Sequence, residues 1–200
     1  MNPNLQQLQP YPFAKLAKLK EGLEPPVDLA HIALSIGEPK HTPPAFVRDE
    51  LIDNLDKLAA YPVTKGLDPL RETIARWLCE RFNLNAVDAD TQVIPVNGTR
   101  EALFAFAQAV VAPGSRVLMP NPFYQIYEGA AFLAGATPHF INCRAETGFK
   151  PDFDAVPEDV WQQCDLLYLC TPGNPTGALL DIEDLKQLIA LADRYDFTIA

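Results

Sequence analysis

Leu166-Leu167-Tyr168-Leu169-Cys170-Thr171-Pro172-Gly173-Asn174-Pro175-Thr176-Gly177 is the stretch from which the fold is read. Its first part is a short apolar run, the mark of a strand buried on both faces, as in a parallel sheet. Its second part places Pro or Gly at four of seven positions, more conformational restraint than a simple turn needs. The loop therefore sits at the carboxyl end of a buried strand, where open α/β sheets bind ligands. A rigid loop there presents Asn174 accurately, and its amide can donate a hydrogen bond to a phenolic oxygen.

Outward from this segment, the chain alternates between strand and helix patterns. Towards the C-terminus, Asp181 caps a helix to about Tyr195, and Phe197–Ala200 opens another strand. Towards the N-terminus, strands are expected at 165–171, 137–141, 116–119 and 92–96. Helices are expected at 125–133 and 99–111, and from Asp68 as N-cap with Pro69 first in the helix. A further helix is expected at 44–58, a short strand at 31–36 and a short amphipathic helix at about 13–23. This alternation predicts an α/β fold of three αβα layers around a mostly parallel sheet. Residues 1–45 read as an N-terminal arm with part of a smaller domain. Residues 46–200 read as the first part of a large domain, and an ending on a strand leads us to expect a longer protein.

Two other segments carry chemistry. In Val96-Asn97-Gly98-Thr99-Arg100-Glu101, a strand turns directly into a helix, whose first N–H groups and dipole suit a phosphate. The same residues also read as a plain turn with Thr99 as cap. In Met119-Pro120-Asn121-Pro122-Phe123-Tyr124, a stiffened loop carries aromatics that can stack on a planar ring or fill a core. Ser35-Ile36-Gly37-Glu38-Pro39 lets backbone approach a carboxylate, and Tyr61-Pro62 presents a phenol. Both also read as ordinary loops.

Composition sets limits. Hydrophobic residues make up 48% of the 200 and charged residues 21%, with a net charge of −10. A surplus of negative charge speaks against nucleic acid or an anionic membrane as the main partner. No apolar stretch is long enough to span a bilayer, and no secretory signal pattern opens the chain. Cys79, Cys143, Cys164 and Cys170 form no CxxC pair, and His31, His41 and His139 are scattered. Reduced thiols in a cytoplasmic protein and no metal site are the expectation.

Together, Ser35–Pro39, Tyr61-Pro62 with Gly66 and Leu70-Arg71, Asn97–Leu103, Pro122–Tyr127 and Asn174–Gly177 stand in the order seen in class I aminotransferases, which this sequence resembles over almost its whole length. The opening, Met1–Leu5 with Tyr11–Leu16, is similar to that of the N-succinyldiaminopimelate aminotransferases of bacterial lysine biosynthesis. The resemblance implies the fold-type I architecture, pyridoxal 5'-phosphate as cofactor, amino-acid and 2-oxo-acid substrates, and a homodimer with shared sites. It implies that backbone at Gly98, Thr99 and Arg100 holds the cofactor phosphate, that Tyr124 stacks on the ring, and that Asn174 binds the ring oxygen. Gly37 would meet the substrate carboxylate, and Tyr61 the cofactor phosphate of the neighbouring subunit. None of the eight lysines (Lys15, Lys18, Lys20, Lys40, Lys57, Lys65, Lys150, Lys186) lies in the family's lysine motif. The Schiff-base lysine is expected beyond Ala200, which leaves these 200 residues inactive alone. Other class I activities, an aspartate or aromatic aminotransferase or a C–S lyase, remain open, as does an aminotransferase-like ligand sensor.

Overall fold

The computed structural model describes residues 2–200. In chain order its helices and strands are α1 (Pro12–Leu19), α2 (Ala45–Asp53), α3 (Asp68–Phe82), α4 (Thr99–Val110), β1 (Arg116–Asn121), α5 (Ile126–Leu133), β2 (Thr137–Asn142), α6 (Glu158–Trp161), β3 (Cys164–Leu167), α7 (Ile182–Tyr195) and β4 (Thr198–Ile199). Contacts divide the described chain into two compact units, residues 2–21 with 96–200, and residues 22–95.

The first unit is built on a sheet of order β2-β1-β3-β4, parallel throughout. Side chains alternate across a strand, and here the alternation makes two cores. Val117, Met119 and Leu166 face a core closed by Ala107 and Val111 at the α4 end and by Tyr127, Ala130 and Ala131 of α5. Leu118 and Leu167 face the other side, against Val160 and Trp161 of α6, Leu188 of α7, and Phe197. These are the three αβα layers read from the sequence. Leu118, Met119, Leu166 and Leu167 are fully buried, as a strand covered on both faces requires.

Helix α7 starts where the sequence places it. The Asp181 carboxylate accepts the N–H groups of Glu183 and Asp184, both at 3.0 Å, while the Asp184 carboxylate accepts the Asp181 N–H at 2.9 Å, a reciprocal capping box. Lys150 joins Asp181 at 2.9 Å and Asp184 at 2.6 Å. The ion pairs raise the Lys150 pKa and, with the helix N–H groups, lower that of Asp181.

In the second unit, α3 buries Arg71. Its guanidinium donates to the Ala89 carbonyl at 2.5 Å and to Asp90 at 2.9 Å, and pairs with Asp68. This corrects the expected cap. Asp68 is the first helical residue, its carboxylate engaged by Arg71, and the N-cap is Leu67, whose apolar side chain can make no cap bond.

Several expected elements differ. Residues 31–36 and 92–96 form no strand, since a strand exists only by pairing, and neither segment finds a ladder partner among the described residues. Leu34 (87% exposed) and Ile94 (69%) face solvent instead. The expected helix 44–58 breaks at Asn54, whose amide donates to the Glu50 carbonyl at 2.7 Å, and continues as a 3-10 turn, Leu55–Ala59. Strand β3 ends at Leu167, yet its ladder runs on: the Tyr168 N–H donates to Leu118 and the Leu169 N–H to Ala200.

Candidate cofactor site

The site is assembled at the carboxyl edge of the sheet in the first unit. Two bonds fix the direction of α4 against it. Near the helix C-terminus, the Ala112 N–H donates to Asp165 at the start of β3 (2.7 Å). Near the N-terminus, the Leu103 carbonyl accepts the Tyr168 hydroxyl just past the end of β3 (2.5 Å). Helix α4 thus runs antiparallel to the strands, and its N-terminus opens at their carboxyl ends.

Gly98 is the N-cap of α4, with φ 91° and ψ 158°, a conformation essentially restricted to glycine. This corrects the reading of Thr99 as a cap: Thr99 is the first helical residue, and no side chain caps the helix. The N–H groups of Thr99 and Arg100 have no intrahelical acceptor, and an ideal Cβ at Gly98 would meet nothing within 4 Å. Open N–H groups at the positive end of a helix dipole form an anion cradle. The Arg100 guanidinium lies over the Tyr11 ring, 5.6 Å from its centroid.

Tyr124, half-buried, follows β1 and packs against the core beneath α4 and α5. It meets the Tyr127 ring edge to face, with centroids 5.9 Å apart. Tyr127 in turn stacks on Tyr168 at 4.3 Å and 7°. Burial, with smaller contributions from neighbouring tyrosines and, for Tyr127, Cys170, pushes both phenols up to about 12. Both are neutral at physiological pH, and Tyr168 is the one that donates, to Leu103.

The loop after β3 closes on itself. The Gly173 N–H donates to Ala178 at 2.8 Å, and the Gly177 N–H to Gly173 at 2.7 Å. Thr176 Oγ1 would lie 2.5 Å from a Cβ at Gly173, and Gly177 has φ 73°. Glycine suits the left-handed φ at 177 and leaves room for the Thr176 hydroxyl at 173, and the loop holds Asn174 exposed, its amide without a partner among the described residues. Asn174 lines a small cleft with Pro122, Phe123, Tyr127, Cys143 and Cys170.

The structure therefore gathers Gly98, Thr99, Arg100, Tyr124 and Asn174 on one edge of one sheet. Gly37 and Tyr61 belong to the second unit. Gly37 is exposed in irregular chain just after a bend at Ser35-Ile36, with open space at its Cα, and Tyr61 is fully exposed. Sequence reasoning missed Tyr168. The signal was there: a phenol inside the apolar run 166–170 must find a hydrogen-bond partner when buried. Among the described residues no group of three or more His, Cys, Asp or Glu side chains is arranged to hold a metal ion. None of the described helices is long and apolar enough to cross a membrane.

Comparison with known proteins gives a consistent family. A family model described as "Aminotransferase class I and II" matches residues 30–199. A curated relative named LL-diaminopimelate aminotransferase, from Aquifex aeolicus (strain VF5), is 35% identical over 98% of this chain and 51% of its own length. A crystal structure of an aminotransferase from Neisseria meningitidis Z2491 superimposes with a TM-score of 0.91 and 44% identity, covering all of this chain and 51% of that one. A single mutant of Thermus thermophilus aspartate aminotransferase gives 0.84 and 27%, covering all of this chain and 52% of its own. The chain spans about half the length of the curated relatives it matches.

Proposed function

This chain belongs to the class I and II aminotransferases, and from that premise we propose that it supplies the phosphate cradle and ring platform of a pyridoxal-phosphate-dependent transaminase of amino-acid biosynthesis. The observation that carries the proposal is the presence of an uncapped α4 N-terminus and an unpartnered Asn174 amide on the same edge of one sheet. The residues fit the cofactor of this family. The Thr99 and Arg100 N–H groups suit its phosphate, the Tyr124 ring its pyridine, and the Asn174 amide its phenolic oxygen.

When bound, the cofactor acts as the electron sink that lets an amino acid lose its Cα proton. The chain's own residues bind and orient. Helix α4 would hold the anionic end, Tyr124 would support the ring and Asn174 would bond its phenolic oxygen, so that the reacting bond is presented in one geometry. The same reading assigns Gly37 to the substrate carboxylate and Tyr61 to the cofactor phosphate of a neighbouring subunit in a cytoplasmic homodimer. It places residues 1–45 in an arm with part of a small domain and 46–200 in the large domain. It sets the lysine that bonds the cofactor outside residues 1–200.

For the substrate, the opening segment supports N-succinyl-LL-diaminopimelate with 2-oxoglutarate as partner, in lysine biosynthesis. The relatives' printed name supports unmodified LL-diaminopimelate. Both are amino donors of the diaminopimelate type.

The test is Asn174→Ala in the full-length protein that carries this chain. We expect about tenfold weaker cofactor binding, as for the loss of a hydrogen bond to a charged oxygen, with an altered cofactor absorption spectrum. An unchanged spectrum and affinity would remove Asn174 from the site. Turnover with the two diaminopimelate donors, against aspartate and aromatic amino acids, settles the substrate.

A further inference from the structure

We propose that Tyr168 is a positioning residue that couples the α4 phosphate cradle to the Tyr124 ring platform. The inference rests on the cofactor reading above and adds a residue to it.

Tyr168 is fully buried and touches both halves of the site through different parts of its side chain. Its hydroxyl donates to the Leu103 carbonyl at 2.5 Å. Leu103 lies one turn beyond the Thr99 and Arg100 N–H groups, so this bond pins the first turns of α4 to the end of β3. Its ring stacks on Tyr127 at 4.3 Å, and Tyr127 abuts Tyr124 edge to face at 5.9 Å. The Tyr168 N–H donates to Leu118 at 2.9 Å, so the residue is itself held in the sheet ladder next to β1.

The order is therefore Leu103 carbonyl, Tyr168, Tyr127, Tyr124: one hydrogen bond and two aromatic contacts from cradle to platform. A carbonyl in the first turns of a helix normally accepts its bond from within the helix. An added donor fixes that turn from the side, and a phosphate cradle depends on where its N–H groups point. A phenylalanine at position 168 would fill the same core. The hydroxyl is what the packing does not need.

The test compares pyridoxal phosphate with pyridoxal, which lacks the phosphate, in the full-length protein that carries this chain. Tyr168→Phe keeps the stack and removes the bond to Leu103. We expect it to raise the Kd for pyridoxal phosphate about three- to tenfold, the range for one hydrogen bond, and to leave the Kd for pyridoxal within about twofold. Tyr127→Leu, which removes the ring between Tyr168 and Tyr124, should weaken both ligands alike. A lower melting temperature for Tyr168→Phe with an unchanged ratio of the two Kd values would make Tyr168 merely structural and overturn the inference.

Hydrogen exchange on the wild-type protein is the second measurement, should the variant not fold. Pyridoxal phosphate should protect the first turns of α4 and residues 165–170 together, and more strongly than pyridoxal, which reaches them only through the ring platform. Protection of α4 alone overturns the coupling. A wild-type protein that binds both ligands equally overturns the cradle reading itself, and the coupling with it.

Discussion

The buried phenols and one buried thiol make the residue scale measurable. Tyr127 and Tyr168 are shifted from 10.0 to about 12, and Cys164 from 9.0 to about 12, each chiefly by desolvation. A raised folded-state pKa means that the neutral form is favoured inside. Its contribution is complete below the unfolded pKa and is lost as pH rises towards the folded one. Stability should therefore hold up to about pH 9, fall first through Cys164 and then, above pH 10, through the two tyrosines. Each phenol accounts for a loss on the order of 2 kcal/mol by pH 12. Urea midpoints measured from pH 8 to 12 check this. Tyr168→Phe should start about 1 kcal/mol lower at neutral pH, for its lost bond, and decline less steeply above pH 10. A parallel decline would mean that Tyr168 does not titrate as a buried group.

At the scale of elements, the N-termini of α7 and α4 invite opposite tests. Helix α7 is capped by Asp181, and Asp181→Ala should cost about 1–2 kcal/mol of stability without changing cofactor affinity, since Asp181 holds a helix and a surface lysine rather than the site. Helix α4 has no side-chain cap, only Gly98 at φ 91°. Gly98→Ala should cost about 1–3 kcal/mol of backbone strain. No atom blocks the new methyl group, so relief comes by rotating the turn that aims the Thr99 and Arg100 N–H groups, and cofactor affinity should fall with stability. Thermal unfolding and cofactor titration of the two variants separate these outcomes. The contrast also explains what the sequence made legible. Asp181 announces a cap by its own side chain, and the helix begins where read. Thr99 looks like a cap but lies inside the helix, because the glycine before it takes the cap conformation that no other residue reaches cheaply. Asp68 misleads in a similar way, its carboxylate being taken by Arg71, a partner that local pattern does not disclose.

For the molecule as a whole, the parallel sheet and its two faces were legible because β1 and β3 are apolar in runs that only double coverage explains. The candidate site was legible where backbone restraint writes it, at Gly98 and at Gly173–Gly177. Tyr168 was not, since its role depends on Leu103, 65 residues away, and on a stack formed only by the fold. Residues 31–36 and 92–96 carry the apolar pattern of strands without a partner among the described residues, and pattern alone cannot supply one. We propose that this edge of the sheet holds pyridoxal phosphate in place for a lysine outside residues 1–200. The most direct measurement is borohydride reduction of the full-length protein with pyridoxal phosphate, followed by peptide mass mapping. One modified lysine is expected, outside residues 1–200, with a label that weakens in Gly98→Ala and Asn174→Ala. No specific adduct, or labels scattered over surface lysines such as Lys18, Lys57 and Lys186, would contradict it.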